Sequence, residues 1–277
     1  MQRYEINFNL ASNLFFFRTF AHMIFYFSGT GNTRWAAQQL AEATHEQLFF
    51  IPDELQKEAH RYEFHEGERL GFCFPTHGWQ PPGIVRKFIR QATFNIRPDT
   101  YVYAFTTCGD NMGHAMKILS KECKRKGISI HSSFALVMPE SNICFPFLHL
   151  DAKEKEQEKI HLAKKRILHI INNVRDRKKD IEELVKGAIP YTYTYIIGGF
   201  YNKHLITDAK FWVDEEACIQ CGLCSRVCPV DDIKGLPPQW NHDGSCTNCL
   251  ACYHHCPCHA IHWGKMKRGQ YTFSSNK

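Results

Sequence analysis

Residues 22–44 read HMIFYFSGTGNTRWAAQQLAEAT. The first six are apolar, aromatic or imidazole side chains of the kind that make a buried strand. The last twelve carry Trp, Ala and Leu at helical spacing. Between them stand Ser28, Gly29, Thr30, Gly31, Asn32 and Thr33, all small or short polar residues. A strand that feeds a helix through such a loop lets successive backbone N–H groups curl toward one anion, and the helix N-terminus adds its partial positive charge. The loop has neither the lysine of a nucleoside-triphosphate loop nor the G-x-G-x-x-G of a dinucleotide site.

Hydroxyls and amides alone suit a single terminal phosphate monoester, such as that of FMN. An ordinary N-capped turn uses the same residue types and is the plainer alternative. Outward from this loop the pattern repeats. Strands are predicted at His22–Phe27, Glu46–Ile51, Arg69–Phe74, Thr100–Thr107 and Ile128–Met138, with helices at Thr33–Thr44, Pro82–Thr93 and Met112–Lys126. Alternating strands and helices imply a doubly wound parallel sheet of the α/β class, because parallel neighbours need crossover helices.

The segment 151–186 is strongly charged, yet Ile160, Ala163, Ile167, Ile170, Ile171 and Val174 recur at helical spacing. One face of this helix should pack on the sheet and the other should be solvated. Residues 187–210 change character, with Gly187, Pro190, a run of tyrosines and then Gly198-Gly199. Their aromatic content reads as a connector packed between two domains. The expected division is an extension over 1–22, an α/β domain over 23–186, this connector, a small domain over 211–265 and a tail over 266–277. The apolar run Leu14–Phe17 is too short to span a membrane and lacks the basic flank of a secretory signal, and Met23 is an alternative start.

The small domain is defined by cysteines. The chain has 13, and eight of them lie between Cys218 and Cys256 in the runs CIQCGLCSRVCP and CTNCLACYHHCP, repeated at a shift of 28 residues. An odd total argues against a closed disulfide framework, and clustered thiols suit metal ligation in a reducing compartment, which points to the cytoplasm. The C-x2-C-x2-C-x3-C-P spacing lets three cysteines wrap one cubane while the fourth reaches the other. Cys218, Cys221, Cys224 and Cys256 are therefore assigned to one [4Fe–4S] cluster, and Cys246, Cys249, Cys252 and Cys228 to a second. Pro229 and Pro257 turn the chain away after each crossing ligand. Two structural zinc sites are the alternative, although zinc sites usually join two C-x2-C pairs through a longer loop. Cys258 falls outside the pattern and reads as a small buried residue, and Cys73, Cys108, Cys123 and Cys144 read as core.

The formal charge is +6. Eight thiolates around two cubane cores, with one phosphate dianion, would offset nearly all of it, so no nucleic-acid-binding surface is inferred. No apolar stretch is long enough to cross a membrane.

Taken together, YFSGTGNT and the two cysteine runs make the chain resemble the flavodoxin–ferredoxin fusion proteins sometimes called ferrodoxins, over nearly the whole of Met23–His262. The resemblance implies a flavodoxin-like five-stranded domain binding FMN, followed by a bacterial-type ferredoxin domain with two clusters. It implies that Ser28, Gly29, Thr30, Gly31, Asn32 and Thr33 grip the phosphate. Thr76, His77, Gly78 and Trp79, after the third strand, would border the isoalloxazine ring, and Thr107, Cys108, Gly109 and Asp110 would close its other side. Trp79 is either a flavin-stacking residue or a contact between domains. Neither His77 nor His114 is assigned a catalytic role, and no catalytic residue is named.

The expected function is electron transfer between the two clusters and FMN and onward to a redox partner protein, since flavins exchange one or two electrons and clusters one. Trp212, Trp240 and Tyr253 lie near cluster ligands in sequence and would either exclude water or equally serve as core of the small domain. The alternative is an FMN-dependent reductase with a small-molecule substrate of its own, fed by the clusters. A cluster-based sensor ranks last, because it leaves the phosphate loop without a role.

Overall fold

The computed structural model describes residues 22–145, 149–265 and 268–273. The expected extension, with Leu14–Phe17, lies outside the described residues but for His22, and so does part of the expected tail.

Six parallel strands form the central sheet: β1 (His22–Tyr26), β2 (Gln47–Phe50), β4 (Arg69–Pro75), β6 (Tyr101–Cys108), β7 (Ser132–Val137) and β8 (Ile181–Glu183). Their order across the sheet is β2-β1-β4-β6-β7-β8. Taken by chain position, the five longer strands run 2-1-3-4-5, the flavodoxin-like order, whose ligand crevice lies outside the carboxyl ends of the strands. All five predicted strands are present. The sixth, β8, lies inside the charged segment, where three residues with two glutamates leave no strand pattern to read. A separate parallel pair, β3 (Arg61–Glu63) with β5 (Thr93–Asn95), places Tyr62 and Phe94 in a stack at 5.4 Å.

Helices cover both faces. On one face lie α3 (Gly83–Gln91) and α4 (Ala115–Arg125), with the short α2 (Ile51–Leu55) beside α3. On the other lie α1 (Asn32–Thr44) and the 23-residue α5 (Lys153–Arg175). The strands are buried on both sides, so they read as near-continuous apolar runs. Along β4, Leu70, Phe72 and Phe74 point to the α3/α4 face and Cys73 points to the α1/α5 face. Phe25 sits among Phe49, Tyr62, Phe72, Phe88 and Phe94. The six apolar residues singled out on α5 are all buried. Gly71 pairs with Tyr103, and a Cβ there would stand 2.5 Å from the tyrosine ring, so only glycine leaves room for it.

The connector is helical. A π-helical turn, Thr192–Ile197, runs directly into α6 (Gly198–His204). After it come β9 (Phe211–Val213), α7 (Leu223–Val227), β10 (Ile233–Lys234), β11 (Gln239–Trp240), α8 (Ala251–His255) and β12 (Ile261–Trp263). Antiparallel pairs β9–β12 and β10–β11, with α7 packed on α8, make this C-terminal part a small α+β unit. No described helix is long and apolar enough to cross a membrane.

Candidate functional site

The 28-residue repeat of the cysteine runs is also a repeat of backbone shape. Left-handed residues occur in pairs 28 apart: Gln220 and Asn248, Gly222 and Leu250, Asp231 and His259. Gly222 and Leu250 each start a helix, α7 and α8, so each run wraps in the same way. The chain then brings the eight cysteines into two groups of four. Cys218, Cys221 and Cys224 line one small cavity, and Cys256 of the other run completes it. Cys228 joins Cys246, Cys249 and Cys252, close enough for their charges to act on one another. In the folded chain Cys256 thus lies with the thiols of the first run and Cys228 with those of the second.

The two groups lie at different depths. Cys221 is exposed, with Cys218 beside it half-buried, and Ile219 and Leu236 on the same cavity are 65% and 57% exposed. In the second group Cys252 is fully buried, and burial pushes its thiol and that of Cys246 well up, and that of Cys249 up to about 11. Crowded thiols pushed up in this way would stay protonated on their own. A bound cation or cluster offsets the cost of ionising them and releases their protons. Backbone donors already point at the sulfurs: Asp232 N–H at Cys228 (3.4 Å), Asn248 N–H at Cys246 (3.4 Å) and Ala260 N–H at Cys256 (3.2 Å). Among the described residues, no three His, Cys, Asp or Glu side chains converge on a single-ion position.

The second group faces the α/β part. Ser28, Gly29, Thr30, Asn32 and Thr33 line a polar cavity together with Thr76, His77, Thr107, Cys108 and Gly109, and Asn248, Cys249 and Leu250 close it. Three separate predicted segments thus meet at one place. Within it the Thr33 and Thr107 hydroxyls are 2.7 Å apart, and the Ser28 hydroxyl accepts the Gly31 N–H at 3.3 Å. Gly31, Gly78, Trp79 and Asp110 do not line it. Trp79 stacks on Tyr193 at 5.1 Å and leans on Phe145, so it is a contact between the sheet and the connector.

The expected flavin does not fit this cavity as folded. Its volume is about 60 Å³, against several hundred Å³ for sites that enclose cofactor-sized ligands. The connector bridges the two loops expected to hold the ring. The Thr194 hydroxyl accepts the His114 N–H at 2.7 Å, its carbonyl accepts Gln80 Nε2–H at 2.9 Å, and Thr194 is fully buried. Asn202 donates to the carbonyls of His77 and Gly78. Tyr201 and Leu250 stand on the remaining side. The cavity has room for a phosphate-sized group, and a second cavity of about 460 Å³ adjoins the same loop, lined by Ser28, Gly29, Thr30 and Gly31.

Sequence reading missed this closure. Asn248 donates to the Tyr201 hydroxyl (3.1 Å) and the Leu205 carbonyl (3.1 Å), and Asn142 also reaches Tyr201 (3.4 Å). Glu140 accepts the Ser141 and Asn142 N–H groups, and burial raises its carboxyl above the usual range. Single polar loop residues with no spacing rule carry no signal of such a network. His77 is buried, which lowers its imidazole to about 4, and its Nδ1 lacks a partner. Trp240 is buried on Phe211 and the buried Tyr253 donates to the Arg268 carbonyl, as residues that shield thiols would. Trp212 does not seal anything: it is 46% exposed and stacks on His262.

The 4Fe-4S binding domain family matches residues 211–234, the span holding the first cysteine run. No protein of curated function matches the chain. Among solved structures the chain is similar to rubredoxin oxygen:oxidoreductase from the anaerobe Desulfovibrio gigas, at 15% identity over 55% of this chain and 36% of that one, with a TM-score of 0.30. It is similar to the Trp repressor binding protein of Bacillus subtilis, at 15% identity over 53% of this chain and 96% of that one, TM-score 0.33. It is also similar to a metal-soaked flavodiiron core from Synechocystis sp., at 16% identity over 57% and 38%, TM-score 0.30. The chain thus spans little more than a third of the oxidoreductase, and the flavodoxin-like assignment rests on the strand order above. What the comparisons establish is a 4Fe-4S binding domain at residues 211–234.

Proposed function

We propose that this chain is an electron-transfer iron–sulfur protein holding two [4Fe–4S] clusters, one near the surface and one against the flavodoxin-like sheet. The observation that carries the proposal is the exchange of Cys256 and Cys228 between the two groups of thiols. Bound there, the clusters supply reversible one-electron storage. Cys218, Cys221, Cys224 and Cys256 would hold the outer one and Cys246, Cys249, Cys252 and Cys228 the inner one. Residues 187–210 act as the helical connector between the α/β domain and the cysteine domain. FMN, expected as a third redox group, meets a cavity of only about 60 Å³ beside the expected phosphate loop, so no step is assigned to it.

The chain's own residues divide the work. Exposed Ile219 and Leu236 frame Cys221 and form an apolar rim where a redox partner protein would dock. Buried Trp240, Phe211 and Tyr253 exclude water from the interior, and the backbone N–H groups facing sulfur stabilise thiolate ligands. Cytoplasmic location follows from the need to keep thiols reduced.

A reductase with its own small substrate is the second reading. One observation favours it: a polar cavity bearing the unpartnered His77 Nδ1 borders Cys249. Steady-state assays separate the two. The carrier reading expects turnover by dithionite-reduced protein only when an acceptor protein is supplied. Turnover of a small molecule by the chain alone would overturn it.

A further inference from the structure

Cys258 is the one cysteine near the runs with no counterpart in the repeat, since position 230, 28 residues earlier, is a valine. The sequence suggests a small buried core residue. The structure shows otherwise: Cys258 is half-buried and lines the same cavity as Cys218, Cys221, Cys224 and Cys256. Its sulfur is 3.7 Å from that of Cys256. The Ile219 N–H faces the Cys258 sulfur, in the segment between Cys218 and Cys221. Pro257 holds the backbone between the two thiols in one conformation. The outer group is therefore built from five thiols and the inner group from four.

We propose that Cys258 is an alternative fourth ligand of the outer cluster, able to take the corner otherwise held by Cys256. The inference rests on the two-cluster reading above. In the exchange the iron–sulfur bond to Cys256 breaks and one to Cys258 forms. The proton of the Cys258 thiol passes to the departing Cys256 sulfur, and no electron is gained or lost. A separation of 3.7 Å is within what rotation of one cysteine side chain and a small backbone shift can close. The two ligation states differ in the donors at sulfur, because the Ile219 N–H reaches Cys258, whereas the Ala260 N–H reaches both. Such differences alter cluster potential. Among the described residues the inner group of four has no neighbouring cysteine two positions from a ligand, so the exchange is proposed for the outer cluster.

The test uses the full chain purified without oxygen, as wild type, C258A, C256A and C256A/C258A, with iron counted and the dithionite-reduced EPR spectrum recorded. The expected result is about eight irons in wild type, C258A and C256A, and about four in the double variant. The C256A spectrum should show a changed signal from one cluster only. C256A dropping to about four irons, like the double variant, would overturn the proposal. Should C256A fail to fold, C256S and C256S/C258A replace it. Alkylation followed by mass spectrometry then decides: Cys258 protected in iron-loaded C256S supports the exchange, and Cys258 alkylated there overturns it. A wild type without about eight irons would instead sink the two-cluster reading itself.

Discussion

Gly29 of the phosphate-type loop lies directly on Cys249: a Cβ added to Gly29 would collide with the Cys249 carbonyl oxygen and stand 2.9 Å from its Cβ. Because the obstacle is backbone, nothing can swing aside. Gly29→Ala should destabilise the folded chain by about 1–3 kcal/mol and disturb the inner cluster's EPR signal. Gly83 is the control, since its added Cβ would meet nothing within 4 Å. Gly83→Ala in α3 should leave both the melting temperature and the spectrum intact or slightly raise the former. Equal effects of the two changes would argue against the contact.

Thr194 ties the connector to both loops at the ends of β4 and β6. Thr194→Val removes the hydroxyl that accepts the His114 N–H and leaves that donor buried. A loss of about 1–3 kcal/mol in chemical denaturation is expected, with faster proteolysis within 187–210.

As the cavity between these loops holds only about 60 Å³, FMN should co-purify at well below one per chain. Flavin absorbance on the acid-precipitated supernatant measures this. Stoichiometric FMN would show that the connector and Leu250 move aside.

Acid should weaken the fold in two windows. His77 and His254 are held to about 4 by burial, and His254 is locked neutral between the Ser141 carbonyl and the Tyr271 N–H. Their contribution is complete above pH 6.5, the ordinary histidine value, and is lost as pH falls toward 4. Glu122 is lowered to about 2, chiefly by its hydrogen bonds from Arg90, with Arg86 adding to it. Its contribution is complete above about pH 4.5 and lost as pH falls through 2. Partial solvation of the three arginines around it limits that contribution to roughly 1–2 kcal/mol. Denaturation curves across pH should therefore show a shallower upper slope in His254→Gln and a shallower lower one in Glu122→Gln.

Phe25 tests the core. It contacts five aromatic rings and is fully buried, so Phe25→Ala should cost about 3–5 kcal/mol in urea unfolding.

Sheet and helices were readable in the sequence because β1, β4 and β6 are buried on both faces and α5 keeps one apolar stripe. The 28-residue repeat of the cysteine runs was readable because the same backbone turns recur at Gln220 and Asn248 and at Gly222 and Leu250. What was not readable depends on contacts between distant segments. Asn248 meeting Tyr201, Thr194 meeting Gln80 and Gly29 meeting Cys249 join residues 47, 114 and 220 positions apart. No local pattern encodes them, and together they close a cavity that the loop motif alone suggested would be open. Cys258 was misread for a related reason: spacing identified the repeat but not the extra thiol beside it.

The central claim is two clusters with exchanged cysteines, and metal analysis of oxygen-free protein tests it most directly. About eight irons and eight acid-labile sulfides per chain, with Cys228→Ala losing only the inner cluster's EPR signal, is the predicted result. Two zinc ions per chain with iron near zero would contradict it.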